Sequence, residues 1–295
     1  MSSPPVEAAG IRPATRLADG AVYWLQLLVL LVALFLVYAR YTIWMVNWWG
    51  RSEYYGHGFL IPLISVYLIW RQRAQLRALP REDFKWGGWV TLGALVVHLV
   101  GTFIDVNFVS GFALVGTIIG LVWWLGGRHW ASFLAFPVGF LCFMVPLDRM
   151  LIDKVAQPLQ LFSAQLGGHA IAAIGAVLRI EGTMIITPVY TFEVAIPCSG
   201  LKSIIAMSAL AALFAYLVEA PRWKKLALFA ASVPVALLAN AARIFVTVIL
   251  GTTLGPAMAE GFFHTASGAL VFMLGVAGLF AVGRLLGCRQ LRAGI

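Results

Sequence analysis

Leu226-Ala-Leu-Phe-Ala-Ala-Ser-Val-Pro-Val-Ala-Leu-Leu-Ala-Asn240-Ala-Ala-Arg243-Ile-Phe-Val-Thr-Val-Ile-Leu250 decides the fold class. A helix that crosses a bilayer needs about 20 predominantly apolar residues, each rising about 1.5 Å. This run is longer than that and carries a single charge, Arg243. Runs of the same kind occupy Ala21–Ala39, Gly87–Ile104, Phe108–Leu125, Ala131–Pro146, Ser199–Val218 and Thr265–Leu286. A shorter one, His57–Trp70, joins them if its flanking Trp and Tyr residues rest in the membrane interface. The expectation is an all-α polytopic membrane protein with eight spans. Residues 21–286 then form one membrane domain.

Composition agrees. The chain has 295 residues, of which 61% are hydrophobic and 11% charged. A soluble domain lies nearer half apolar and a quarter charged. The net charge of +9 would raise nucleic-acid binding in a soluble protein. Here the cations gather in short connections between apolar runs: Arg71, Arg73, Arg77, Arg81 and Lys85; Arg222, Lys224 and Lys225; Arg284, Arg289 and Arg292. With eight crossings and an inside N-terminus, all of them fall on the cytoplasmic side, as the positive-inside bias requires. Both termini are therefore expected in the cytoplasm, and no nucleic-acid partner is expected. Residues 1–20, polar and proline-bearing, read as a disordered cytoplasmic tail with no cleavable signal behind them, and 287–295 as a second cytoplasmic tail.

Residues 147–197 break the pattern. Val155–Leu178 is apolar enough to span, yet one extra crossing would move every later basic loop outside. Pro158, Gly167, Gly168 and His169 divide it into short pieces, so it reads as helices in the outer interface capping the membrane domain. Ile180–Val194, β-branched and aromatic on both sides of Thr187-Pro188, reads as a small β-hairpin.

That hairpin leads into Pro197-Cys198-Ser199-Gly200 at the start of an apolar helix. Unpaired backbone N–H groups and the helix dipole favour a thiolate at such a position. Ser199 and Gly200 leave room for a substrate backbone. A free cysteine is also a small core residue, so position alone leaves both roles open; Cys142 and Cys288 read as core residues. The three cysteines form neither a disulfide framework nor a CxxC site, no His/Cys spacing reads as a metal site, and no cofactor is expected. Arg243 lies within a span near its outer end, where a guanidinium must be paired or face a cavity, or else snorkel to the headgroups. Asn240 shares its helical face at i−3. His264 opens the last span on the same outer side. Thiol, imidazole and guanidinium at one depth would supply a nucleophile, an acid/base and a cation for an oxyanion. His57 starts a span at the same face. Lys202, one turn beyond Cys198, either lowers the thiol pKa or snorkels. Glu193 and Asp148 are candidates to orient His264.

Pro197-Cys-Ser-Gly-Leu-Lys-Ser203, Asn240-Ala-Ala-Arg-Ile244 and His264-Thr-Ala-Ser-Gly268 resemble, in order, the signature regions of the exosortase/archaeosortase family. His57-Gly58 and Val145-Pro-Leu-Asp148 resemble its N-terminal half, so the resemblance covers roughly residues 40 to 286. It implies a transpeptidase-like sorting enzyme of the cytoplasmic (inner) membrane, of a family often associated with exopolysaccharide and extracellular-matrix genes in Gram-negative bacteria. The implied partners are membrane lipids and secreted proteins bearing a C-terminal tail: a Pro-Glu-Pro-type motif, a transmembrane helix and a basic cluster. It also implies Cys198 as nucleophile, His264 as acid/base and Arg243 as oxyanion or thiolate partner. Two rival readings are a transporter or polysaccharide/lipid export component, with Arg243 and His264 on an anionic substrate, and a non-catalytic assembly subunit. No internal repeat supports the transporter.

Overall fold

The computed structural model describes residues 14–82, 84–255 and 262–292, with the side chains of 14–24, 26–27, 197 and 262–267 outside that description. The chain divides into two units, 1–44 and 45–295. Helix α1 (Ala14–Arg51) supplies the described part of the first. It begins ahead of the expected Ala21 boundary, so residues 14–20 are helical where a disordered tail is expected. Residues 1–13 of that tail lie outside the described residues.

The second unit opens with the last turns of α1 and a 3-10 turn at Gly56–Phe59. The helices that follow are α2 (Leu60–Arg71), α3 (Arg73–Ala78), α4 (Lys85–Phe103), α5 (Asn107–Phe140), α6 (Arg149–Ala173), α7 (Leu201–Leu217), α8 (Arg222–Leu254) and α9 (Phe262–Leu285). Five described segments are long and apolar enough to cross a membrane: Leu28–Arg51, Lys85–Phe103, Asn107–Met144, Arg222–Leu254 and Gly268–Leu285. The longest contains Gly127 at φ 74°, ψ −168°, which is not helical, so α5 is two helices meeting at a kink. Those halves correspond to the two runs read from the sequence. Of the remaining runs, Ser199–Val218 holds the shorter apolar helix α7, and His57–Trp70 is divided between the 3-10 turn and the 12-residue α2. Leu63, Val66, Leu99, Leu238 and Met273 are more than half exposed along these helices, an arrangement that lipid tolerates and water does not. The protein is an all-α polytopic membrane protein.

The segment between α5 and α7 differs from expectation in two ways. First, α6 is one 25-residue helix running through Pro158 and the Gly167-Gly168 pair, not a set of short pieces. The glycines serve packing: a Cβ on Gly167 would lie 2.6 Å from Ile244 Cγ2 on α8, and one on Gly168 would lie 2.5 Å from Ile180 Cδ1. Asp153, Lys154, Gln157 and Gln160 keep its hydropathy down, and α6 is not among the candidate spans. Its buried positions, including Ile152, Ala156, Gln160, Ser163, Ala164 and Ile171, recur at helical spacing on one face. Second, the hairpin is a three-stranded antiparallel sheet, β1 (Arg179–Glu181), β2 (Met184–Ile186) and β3 (Thr191–Glu193). The extra strand pairs through a two-residue turn at Gly182-Thr183, with Gly182 at φ 60°. The Thr187-Pro188 turn joins β2 to β3, and Thr187 Oγ1 donates to Tyr190 O at 2.6 Å.

Two buried clusters organise the unit. One joins α6, the sheet and α8 through Ala164, Ile171, Ile185, Phe192, Val194, Ile244 and Val248, and it includes Cys198. The other joins α7, α8 and α9 through Met207, Ala211, Leu228, Ala236 and Leu279. Residues 287–292, the described part of the expected cytoplasmic tail, fold back: Val218 and Leu291 form an antiparallel bridge, and Arg292 N donates to Leu217 O at 2.7 Å.

Candidate functional site

Cys198 closes a 3-10 turn, Ile196–Cys198, that hands the chain from the sheet to α7. Pro197 suits the first positions of that turn, where its missing N–H costs nothing. Cys198 N donates to Ala195 O at 2.8 Å and Ser199 N to Ile196 O at 3.0 Å. Gly200 is the N-cap of α7 at φ 88°, a left-handed conformation that favours glycine. A Cβ there would also stand 3.2 Å from the Asn240 amide. Cys198 thus lies two residues before the N-cap, short of the helix N-terminus at which the sequence puts it.

Asn240 and Arg243, one turn apart on α8, both act on this loop. Asn240, fully buried, donates from Nδ2 to Cys198 O at 2.9 Å and to Ser163 Oγ at 3.2 Å. Ser163 in turn donates to Ser199 O at 3.0 Å. One helical turn earlier on α6, Gln160 Nε2 donates to Val194 O. Two α6 side chains and one from α8 therefore hold the carbonyls of residues 194, 198 and 199. Buried carbonyls need such partners, and a buried loop with satisfied carbonyls keeps one geometry. Asn240→Ala removes both bonds and is expected to destabilise the protein by about 1–3 kcal/mol. A thermal melt of the purified variant checks this, and an unchanged midpoint would count against the network.

The electrostatics of the thiol are a balance. Burial pushes the Cys198 thiol above its ordinary value. The Arg243 guanidinium pulls it down, Glu53 pushes it up, and a backbone hydrogen bond at Ala195 lowers it, in that order of size, with a net rise. Burial therefore outweighs the groups that lower the thiol pKa, against the lowering that a position near a helix start favours.

Glu53 enters from the turn after α1, a contribution with no motif in the sequence. That turn is tied down beside α6: Trp49 Nε1 donates to Met144 O at 2.8 Å, and Leu147 N donates to Tyr55 Oη at 3.2 Å. Burial raises the Tyr54 phenol, with Glu53, Asp153 and Cys198 adding to the rise and Arg149 opposing it. Tyr54 and the first turns of α6 thus share the neighbourhood of Cys198.

The remaining sequence candidates fall as follows. Ser199 is fully buried, and its Oγ accepts from Leu201 N at 3.4 Å. Lys202 is exposed and is not among the groups that act on the thiol. His57 stacks on Tyr55 with centroids 6.0 Å apart, and its buried Nε2 has no hydrogen-bond partner among the described residues. Glu193 is exposed on β3. Asp148 occupies the N-cap of α6; burial and the neighbouring Asp105 both push its carboxyl up. His264 belongs to the first turns of α9, but its side chain lies outside the described residues. The structure brings together Cys198, Ser199, Gly200, Asn240 and Arg243. Sequence reasoning missed Gln160, Ser163, Glu53 and Tyr54. Glu53 and Tyr54 lie in a turn with no motif, and Gln160 and Ser163 are marked only as polar residues on an otherwise apolar face of α6. Among the described residues no group of three His, Cys, Asp or Glu could hold a metal ion.

Residues 48–281 match the family model described as transmembrane exosortase. No curated protein and no solved structure matches the chain at a significant level.

Proposed function

Because the chain belongs to the transmembrane exosortase family, a family of membrane sorting enzymes, we infer that it is a cysteine transpeptidase or protease acting through Cys198. The substrates are secreted proteins with a C-terminal sorting tail, cut where the Pro-Glu-Pro-type motif leaves the tail's transmembrane helix, at the outer face of the inner membrane. The observation that carries this reading is the convergence of one helix, α8, on Cys198: Asn240 on its carbonyl and Arg243 on its thiol. A core cysteine with no reaction to perform has no use for a cation within a span, where a guanidinium is costly.

The chemistry follows from those groups. The Cys198 thiol passes its proton to a base, for which the family motif names His264, and the thiolate attacks the scissile carbonyl. Arg243 stabilises the negative charge, first on sulfur and then on the tetrahedral oxygen. Collapse breaks the C–N bond, and the leaving amine takes the proton from the imidazolium. The thioester at Cys198 is then opened by an amine acceptor or by water. On this reading α6 and the sheet, which pack in one buried cluster with Cys198, face outward, and a tail substrate enters beside them from the lipid.

Trapping tests the covalent step. After incubation with a tail-bearing substrate, mass spectrometry of the quenched enzyme is expected to find the substrate's N-terminal part on Cys198, released by hydroxylamine. Turnover with no hydroxylamine-labile adduct at any quench time would overturn the thioester route.

A further inference from the structure

We propose that the end of the bundle where α7, α9 and residues 287–292 meet binds an anionic phospholipid, its phosphate on Arg284 and Arg289 and an acyl chain against Phe214 and Phe280. The proposal is independent of Cys198 and concerns the end of α7 remote from that residue.

The local sequence builds the site. Helix α9 stops in a Schellman turn: Gly287 at φ 74° donates to Arg284 O at 3.0 Å, and Cys288 N donates to Gly283 O at 2.8 Å. That reversal turns the following residues back along α7, where Leu291 bridges to Val218 and Glu219 N donates to Gln290 O at 2.9 Å. Between the helix end and the returned strand lies a cavity of ≈ 580 Å³, lined by Phe214, Val218, Phe280, Leu291, Arg284 and Arg289 among others. That volume is within the range of small-molecule sites.

Its lining is ordered by depth. Phe214 and Phe280, whose ring centroids are 4.9 Å apart, stand about one turn inward from the ends of their helices. Arg284 is in the last turn of the Gly268–Leu285 apolar segment, at the level where headgroups begin. Both arginines are exposed, and among the described residues neither has a carboxylate partner: the one ion pair there is Arg179–Glu181. Glu219, the nearby acid, is exposed and forms no ion pair with them. Two unpaired guanidiniums above an apolar floor match an anion attached to a hydrocarbon chain. A free phosphate would leave that floor uncovered.

The test uses the full chain in detergent, equilibrated with equal phosphatidylglycerol and phosphatidylcholine and read by native mass spectrometry. The wild type is expected to retain phosphatidylglycerol over phosphatidylcholine by roughly tenfold. Arg284→Gln/Arg289→Gln is expected to bring the ratio to about one, while Arg222→Gln/Lys225→Gln, cations outside the cavity lining, keeps it. Glycerophosphoglycerol, the same headgroup without acyl chains, is expected not to compete, and neither is inorganic phosphate. A wild type without preference, a double Arg284/Arg289 variant that keeps it, or equal loss in the control pair would each overturn the proposal. Competition by free phosphate would assign the site to a soluble anion instead. Processing of tail substrates does not enter the readout, so failure here leaves the Cys198 reading as it stands.

Discussion

Cys198→Ala is expected to stop processing: cells carrying it accumulate precursor with its tail attached, and the purified variant loses at least about 10³-fold in cleavage rate. The size of the effect follows from what the sulfur does. Without a nucleophile no thioester forms, and Arg243 has no thiolate to stabilise. The substitution removes one atom from a position held by its backbone through Asn240 and Ala195, so enzyme level in the membrane is expected to stay normal. Immunoblots of enzyme and precursor from the same cells separate lost chemistry from lost protein. Cys142→Ala, in the 3-10 turn after α5, is the control and is expected to process normally. Cleavage by Cys198→Ala at the wild-type rate would remove the proposed mechanism, and loss of processing in Cys142→Ala at normal enzyme level would move the nucleophile there.

Arg243→Ala has the second largest expected effect, about 10²–10³-fold in cleavage, the range for losing one group that stabilises an oxyanion. A change in activity alone would not distinguish chemistry from structure, but the thiol's titration does. Burial holds the Cys198 pKa up and Arg243 holds it down. Below the pKa only the thiolate fraction reacts with a small methanethiosulfonate reagent, and that fraction rises tenfold per pH unit. Removing the cation raises the pKa further, so the whole rate profile moves to higher pH. The variant is therefore expected to react more slowly than the wild type at pH 7.5 and to converge with it at high pH. Arg243→Lys keeps a charge without the planar fork and is expected to hold the profile near that of the wild type while recovering only part of the activity. An Arg243→Ala profile superimposable on the wild type would show that the guanidinium does not act on the sulfur.

If Cys198 is the nucleophile proposed above, its burial sets its resting reactivity. A thiol held above its ordinary pKa in a cluster with Ile185, Val194 and Ile244 is poorly reactive at rest.

The fold class and the loop around Cys198 were legible because they rest on local rules. Apolar length decides whether a segment can cross lipid, and every run above that length is a helix in the structure. The i, i+3 spacing puts Asn240 and Arg243 on one face of α8 within one turn of chain, so that pairing was legible, whereas the 3-10 turn that sets Cys198 two residues before the N-cap was not. Glycine misled the reading of residues 147–197, because a glycine that ends a helix and one that lets two helices close together look alike in one dimension. Only the approach of Ile244 to Gly167 and of Ile180 to Gly168 tells them apart. The same holds for Gln160 and Ser163, which become positioning residues only once α6 lies against the Cys198 loop, and for Glu53, far from Cys198 along the chain. Even the state of the thiol was decided at this level: proximity to a helix start argues for a thiolate, but desolvation depends on what packs around the sulfur, and here packing wins.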